Sequence, residues 1–461
     1  MTTSFVADRS LPQPAFCTIV ALLTLLSITS CHRPPDPNHF NLSLLADPPE
    51  WQKLDPFQRS ITREDFVSAL EKIYSNGPSY KSTIKIRPKY AEITRSTKRK
   101  DFPAYLFEFA TDEQEATARQ QQLRSQATPF WTPTEILRQN TTPAKPLADI
   151  HVAIDPGHIG GKWARMEERW FQIGDDQPVE EGTMTLKVAK LLKTDLEEKG
   201  ATVTLLRTDL EPVTNTRPED FEDLATRYLV EAGFDPPPAS YSNATEQLPG
   251  GPQFTVQWQS EKMFYRSQEI RDRARLVNNV IKPDLILCLH MNAEKWGNPA
   301  RPTLRNKNHY HILCNGTYSL GEISADDQRF EMLLRLVQGI HDEEIPLCTA
   351  VAEAFDDITG MPRFAYDGTF ARRVNEHPGV FSRNLLATRS YLCPVIFLEP
   401  YVMNDRGVYD RIQNAAKDDP SIFQEYADAV TEGLVRYFND PEKYQNWSPP
   451  LAPDSISDLG S

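Results

Sequence analysis

His151-Val-Ala-Ile-Asp-Pro-Gly-His158-Ile-Gly-Gly161 is the stretch that decides how this chain is read. Residues 152–154 form a short apolar run of the kind that becomes a buried strand. Asp155-Pro156-Gly157 ends it, combining a capping side chain, a fixed φ and a free φ. The turn delivers His158 to the carboxyl end of a strand, the edge of an open α/β sheet where ligands bind. A histidine held there by a stiff turn is a candidate metal ligand. Taken alone, it is equally a polar loop residue after an ordinary strand.

Downstream the pattern alternates strand and helix. Residues 184–199 carry Leu186, Ala189, Leu192 and Leu196 on one face, and Gly200 ends that helix. A strand follows at 202–206 and a second helix at 265–281. Residues 285–289 are almost wholly apolar, as expected when helices cover both faces of a sheet. Residues 309–314 read as another strand, 329–340 and 347–358 as helices, 394–398 as an apolar strand and 422–438 as a closing helix. The expected fold class is α/β, a mostly parallel sheet with helices on both faces, over residues 149–440. Residues 441–461, with Ser448-Pro-Pro-Leu-Ala-Pro, read as a loose tail.

Upstream, residues 58–127 read as a small α+β unit. Thr62 with Asp65 resembles a capping box, and Phe66, Leu70 and Ile73 recur at helical spacing up to Asn76-Gly77. Strands are expected around Ile84 and Ile86, at Ile93, and through Tyr105, Phe107 and Phe109. Lys98-Arg99-Lys100 between two of them reads as a solvated hairpin tip. Residues 128–148, rich in Pro and Thr, form a linker. Residues 31–57 hold many Pro, Asp and Asn and read as an extended tether, reaching at most ~80 Å at ~3.1 Å per residue.

The first 30 residues are a targeting segment. Residues 15–28 are mostly apolar but short for a membrane span of about 20 residues. They run into Ile28-Thr29-Ser30-Cys31, which resembles a bacterial lipobox, so Cys31 is the expected lipidation site and first mature residue. An ordinary signal peptide with a chance cysteine is the alternative. His32 after the cysteine is similar to lipoproteins sorted to an outer membrane. The expected location is the cell envelope, lipid-anchored and facing the periplasm.

The chain has 461 residues, a length that suggests about two to three domains. A net charge of −14 argues against nucleic acid as a partner, because phosphate contact needs a basic face.

Three strands end in a metal- or proton-capable side chain: His158, His290 and Glu399. Glu181 opens the helix after the first strand. Two imidazoles and one carboxylate with an open fourth place are a usual hydrolytic zinc set. Their single negative charge leaves the metal net positive, able to acidify water toward a pKa of ~7 and polarise a carbonyl. A further carboxylate can take the water's proton and hand it to a leaving amine.

At this point the residues resemble the zinc-dependent N-acetylmuramoyl-L-alanine amidases of bacterial cell walls. The resemblance covers residues 149–440 and lies in four motifs in order: Asp155-Pro-Gly-His158; Glu181 five residues before Leu186; His290-Met-Asn292 after an apolar strand; and Pro394-Val-Ile-Phe-Leu-Glu399, with Asn404 following. A helix, a glycine and a strand ending in Arg207-Thr208 also fit. The resemblance implies the amidase fold of phosphorylase/hydrolase type, one Zn²⁺ held by His158, Glu181 and His290, and Glu399 as the catalytic base. The implied reaction hydrolyses the amide between the muramic acid lactyl group and L-alanine of peptidoglycan. Partners so implied are peptidoglycan, the membrane through a lipid anchor, and a protein activator. Asn292 and Arg383 are candidate substrate contacts, and Arg389 is weighed with Arg383 for the acidic stem. Glu180 is the alternative to Glu181; the offset to Leu186 favours Glu181. Glu399 pairing with Arg207 or Arg406 is the structural alternative to a base.

The chain also departs from the pattern. Ile159 replaces the glycine after the histidine, and the stretch from His158 to Glu181 is long and aromatic. Residues 211–261 intrude before the next helix. If that insert blocks the metal, as inserted segments do in some relatives, trimming it raises activity. His309 and His311 share one face of a strand and read as structural or substrate-facing. Cys288, Cys314, Cys348 and Cys393 all lie in apolar segments and are expected as buried free thiols. Two rival functions stand: a zinc hydrolase of another peptide or amide bond on the same fold, and a non-catalytic wall-binding lipoprotein.

Overall fold

Seven segments pair into one twisted sheet in the computed structural model, which describes residues 41–99, 101–125, 131–241, 252–366, 368–417 and 420–445. The strands are β1 (His151–Pro156), β2 (Thr202–Leu205), β3 (Leu285–Leu289), β4 (His311–Cys314), β5 (Arg372–Arg373), β6 (Val380–Ser382) and β7 (Val395–Glu399). Their order is β5-β6-β4-β7-β3-β1-β2. The four strands β7-β3-β1-β2 are parallel; β4 runs antiparallel to β7, β6 parallel to β4, and β5 antiparallel to β6. The α/β architecture expected from the sequence is therefore present, with a mixed edge made by β4, which runs against the parallel strands, and the short β5 and β6 beyond it.

Both faces of the sheet are covered, which is why the central strands have no polar alternation. Val152, Ile154, Leu287, Leu289, Ile396 and Leu398 point into one apolar layer with Val188, Leu192, Val351, Phe355 and Val430. These last five come from helices α1 (Glu181–Glu198), α3 (His341–Thr359) and α4 (Ile422–Asn439). Gly433 lets α4 approach α3 closely: a Cβ there would stand 2.5 Å from the Cα of Val351. Ala153, Ile286, Cys288, Val395 and Phe397 point the other way, against Ala274, Val277 and Tyr391. Ala274 and Val277 belong to α2 (256–281), one continuous helix with two wider turns at Met263–Gln268 and Val277–Ile281. The sequence places this helix at 265–281; it starts earlier because Thr255 caps it, accepting the Trp258 N–H. Cys288, Cys314, Cys348 and Cys393 are buried free thiols.

Buried charges tie the layers together. Arg335 and Glu344, both with fully buried side chains, form an ion pair, and Glu344 also accepts the Val395 N–H at 2.8 Å. Asp155 takes Arg273 Nη1 at 2.7 Å and the Tyr391 hydroxyl at 2.6 Å, fixing the end of β1 to α2.

The N-terminal segments carry more apolar anchors than their composition suggests. Thr62 caps the helix beginning Arg63–Ala69 as expected, and the strands Ile84–Ile86, Tyr90–Ile93 and Tyr105–Glu108 form an antiparallel sheet. The stretch read as a tether is folded from residue 41 onward, with Trp51 and Leu54 buried. Trp51 packs its ring 5.5 Å from that of Phe330. Trp131 and Leu147 bury the linker, and Tyr444, in the short helix Glu442–Gln445, buries the start of the expected tail. These isolated large side chains have no period, so composition masks them. The stretch expected as a signal segment, Cys31 and residues 446–461 lie outside the described residues.

Candidate metal centre

Strand register brings the site together. Pro156 pairs with Leu289, and Leu289 with Leu398, across three parallel strands. Gly157-His158 and His290, which come next, and Glu399, the last residue of β7, stand together at one edge of the sheet. Gly157 is required there by space: a Cβ would meet His290 Cε1 at 2.4 Å and the Leu289 carbonyl oxygen at 2.4 Å. His158 follows with φ +58, a left-handed conformation uncommon for a side-chain-bearing residue. It is held by Arg273, which donates to the His158 carbonyl at 3.2 Å. Arg207 donates to Pro156 and Gly182 carbonyls at 3.2 and 3.0 Å, binding this turn to the start of α1.

Glu181, the first residue of α1, is buried and receives both imidazoles. His290 Nδ1 lies 3.0 Å from Glu181 Oε1, and His158 Nε2 lies 3.3 Å from Oε2. One ligand atom from each of His158, Glu181 and His290 lies within 4.8 Å of the others. The carboxylate also accepts the Met291 N–H at 3.1 Å and Arg169 Nε at 3.1 Å. His290 stacks on Phe397 with centroids 4.4 Å apart and meets His158 edge-on at 5.1 Å. Two imidazole nitrogens converging on one buried carboxylate fit a divalent cation of the zinc type, which takes tetrahedral nitrogen and oxygen ligands.

The electrostatics follow from this crowding. Burial alone would raise the Glu181 carboxyl, but His158, His290 and Arg169 outweigh it and hold it down at about 2. Burial lowers His158, whereas His290, despite burial, is raised by Glu181 and Glu399. Glu399 behaves oppositely to Glu181: burial pushes it up to about 7, with His290 opposing and Glu181 adding. Two carboxylates in one site thus stand apart in proton affinity.

The site opens into a cavity of about 610 Å³ lined by His158, Arg169, Asn292, Trp296, Arg383 and Glu399 among others. His158, Glu181, His290, Glu399, Asn292 and Arg383, the described residues expected there, all meet at this cavity. Arg389 does not: it is buried, pairing with Glu331 at 2.7 Å. Arg207 serves backbone carbonyls rather than Glu399. Glu180 accepts the Gly161 N–H and the Thr183 hydroxyl, outside the cluster. His309 and His311 are buried against Phe364, centroids 4.6 and 5.2 Å away, and do not line the cavity. Asn404 is buried and structural, accepting the Glu294 N–H at 2.9 Å and donating to Thr303 at 3.1 Å, which shapes the rim.

No known family and no curated protein matches the chain by sequence. Among solved structures it is similar to the apo form of the N-acetylmuramyl-L-alanine amidase Ami1 from Mycobacterium abscessus, at 14% identity and TM-score 0.34, over 63% of this chain and 99% of that one. It is similar to the catalytic domain of the amidase CwlV from Bacillus (Paenibacillus) polymyxa, at 14% identity and TM-score 0.34, over 63% and 98%. The CwlD amidase from Clostridioides difficile, solved in complex with the GerS lipoprotein, is similar at 11% identity and TM-score 0.34, over 63% and 99%.

Sequence reading missed three consecutive residues at the centre, Glu167, Glu168 and Arg169. Glu167 Oε1 lies 3.4 Å from His158 Nδ1; Glu168 pairs with Lys262 at 3.0 Å; Arg169 reaches Glu181. They lie in an irregular segment with no motif, and the only hint was a run of charge inside an aromatic stretch. The described residues of the 211–261 insert contribute nothing to the cavity wall. Phe221, Ala225 and Tyr228 pack instead with Ile159, Met263 and Phe264.

Proposed function

We propose that this chain is a zinc-dependent N-acetylmuramoyl-L-alanine amidase, with one Zn²⁺ held by His158, Glu181 and His290 and Glu399 as general base. The observation that carries this reading is the convergence of those three side chains on one point at a sheet edge, with a proton-affine carboxylate in the same cavity. Zinc bound there supplies Lewis acidity that acidifies water and polarises the scissile amide carbonyl.

The chain's own residues do the rest. Glu399 takes a proton from the attacking water and returns it to the departing alanine nitrogen. Arg169, Arg383 and Asn292 line the approach and present cationic and amide groups to a peptide carrying carboxylates. The four ordered motifs supply the choice of wall amide over other amides. The remaining assignments belong to the same proposal: Cys31 lipidated, the chain anchored in the cell envelope facing the periplasm, and a protein partner as activator.

Purified full chain loaded with zinc, incubated with isolated sacculi, is expected to release free stem peptides and leave peptide-free glycans, read by mass spectrometry. Glycans that keep their peptides while another amide is cut point to the other hydrolase. Stoichiometric zinc with no product from any wall fraction points to a binding protein.

A further inference from the structure

Glu167 is a buried carboxylate, 2% exposed, that the proposed reaction does not use. It accepts the Ile159 N–H at 2.9 Å on one oxygen and 3.0 Å on the other, and the Gly160 N–H at 3.0 Å. Its Oε1 lies 3.4 Å from His158 Nδ1. One carboxylate therefore spans the far nitrogen of a candidate ligand and the two backbone groups that follow that ligand. Burying it costs free energy unless the charge is matched by donors, and the Ile159 and Gly160 N–H groups supply them.

The neighbours of Glu167 show how it is held. Glu168 has φ +59, so the backbone turns there. Its side chain goes to Lys262 at 3.0 Å and Arg266 at 3.3 Å on α2, while Arg169 goes to Glu181 at 3.1 Å. The loop is thus fastened to α2 by one residue and to two candidate ligands by the residues on either side.

A neutral imidazole carries its proton on one nitrogen and binds a cation through the other, and the partner of the protonated nitrogen decides which is which. His158 faces Glu167 with Nδ1 and Glu181 with Nε2. We propose that Glu167 is a positioning residue for the metal centre, acting through His158: it receives the Nδ1–H and leaves the Nε2 lone pair aimed at the cation. This inference rests on the zinc reading above. It adds a fourth protein group, from a segment with no recognisable motif, to those that decide zinc affinity.

The test measures zinc affinity of the full chain by competition with a chromogenic chelator, in the wild type, E167Q and K262M. E167Q is expected to bind zinc about 10–100-fold more weakly. K262M, which removes one of the holds on Glu168 without touching His158, is expected to lower the unfolding midpoint and keep wild-type zinc affinity. Equal losses in both variants overturn the proposal, since loop loosening then explains them; so does unchanged affinity in E167Q. Nitrogen-15 spectra of histidine-labelled wild type, with His158 assigned by its loss in H158Q, give an answer independent of whether E167Q folds. An Nδ1–H tautomer at His158 is expected, and an Nε2–H tautomer overturns the proposal. A wild type that binds no zinc overturns the metal reading and this inference with it. A zinc-binding wild type with an indifferent E167Q overturns this inference alone.

Discussion

Gly157→Ala probes how tightly the strand-end turn is built against a candidate metal ligand. The new Cβ would stand 2.4 Å from His290 Cε1, 2.5 Å from His290 Nε2 and 2.4 Å from the Leu289 carbonyl oxygen. Carbon atoms in contact settle at about 3.5–4.0 Å, so something must yield by roughly 1 Å. The carbonyl belongs to the central strand β3 and accepts the Gly157 N–H at 2.8 Å, so it resists. The imidazole is stacked on Phe397 and edge-on to His158, which leaves it little retreat. Overpacking of this kind costs about 1–3 kcal/mol of stability, read as a shift of the urea midpoint in metal-free protein. The consequence for the ligand set is larger in proportion. Metal–ligand distances tolerate about ±0.2 Å, so a displacement of roughly 1 Å takes His290 out of bonding range. Gly433→Ala is the matched comparison, because its Cβ would meet the Val351 Cα at 2.5 Å in the packing of α4 on α3, without touching His290. Both variants are expected to lose stability, and Gly157→Ala to lose zinc affinity as well. Full zinc affinity in folded Gly157→Ala would refute the packing argument.

Glu399→Gln is expected to retain zinc and lose about 10²–10⁴-fold in kcat. The same variant tests a pH effect in metal-free protein. A carboxyl raised from about 4.5 to about 7 makes the folded state bind the extra proton, so its contribution is present below about pH 4.5 and lost as pH rises through 7. Wild type is therefore expected to lose on the order of 1–3 kcal/mol between about pH 5 and pH 7.5 relative to Glu399→Gln, measured by urea unfolding. Arg335→Leu leaves Glu344 buried and unpaired and is expected to cost about 3–5 kcal/mol, with much of the loss recovered in Arg335→Met/Glu344→Gln. Excising residues from the 211–261 insert is expected to lower the unfolding midpoint without raising turnover. The insert's Phe221 and Tyr228 cover Ile159 and Met263 rather than the cavity, and a gain in turnover would contradict that packing.

The parts of the fold that the sequence announces are those with a period or a stop signal. The runs 152–154 and 285–289 are apolar because both faces of the sheet are covered, and each became a central strand within a residue or two. Leu186, Leu192 and Leu196 mark the inward stripe of α1, and all three are buried. The short strands β5 and β6 escaped because Arg372-Arg373 and Val380–Ser382 are too brief to show alternation. Trp51 and Trp131 escaped for a related reason: single large anchors in Pro-rich surroundings bury their segments without leaving a pattern.

The same distinction separates the candidate site residues from what supports them. His158, His290 and Glu399 each follow an apolar strand, and parallel register alone brings strand ends level, so their meeting follows from local pattern plus sheet topology. Glu181 begins a helix, where a carboxylate is favoured by the helix dipole in any case, so its second role is hidden behind its first. Glu167 and Arg169 have no such local reason. They reach His158 and Glu181 through contacts of their own, from a loop that Glu168 also ties to Lys262 on α2, a residue far away in the chain. A sequence read along its length shows which side chains stand at the sheet edge. Which tautomer His158 adopts and how firmly Glu181 is held are decided by contacts between segments, and these become visible only when the insert, the loop and the helix are seen packed together.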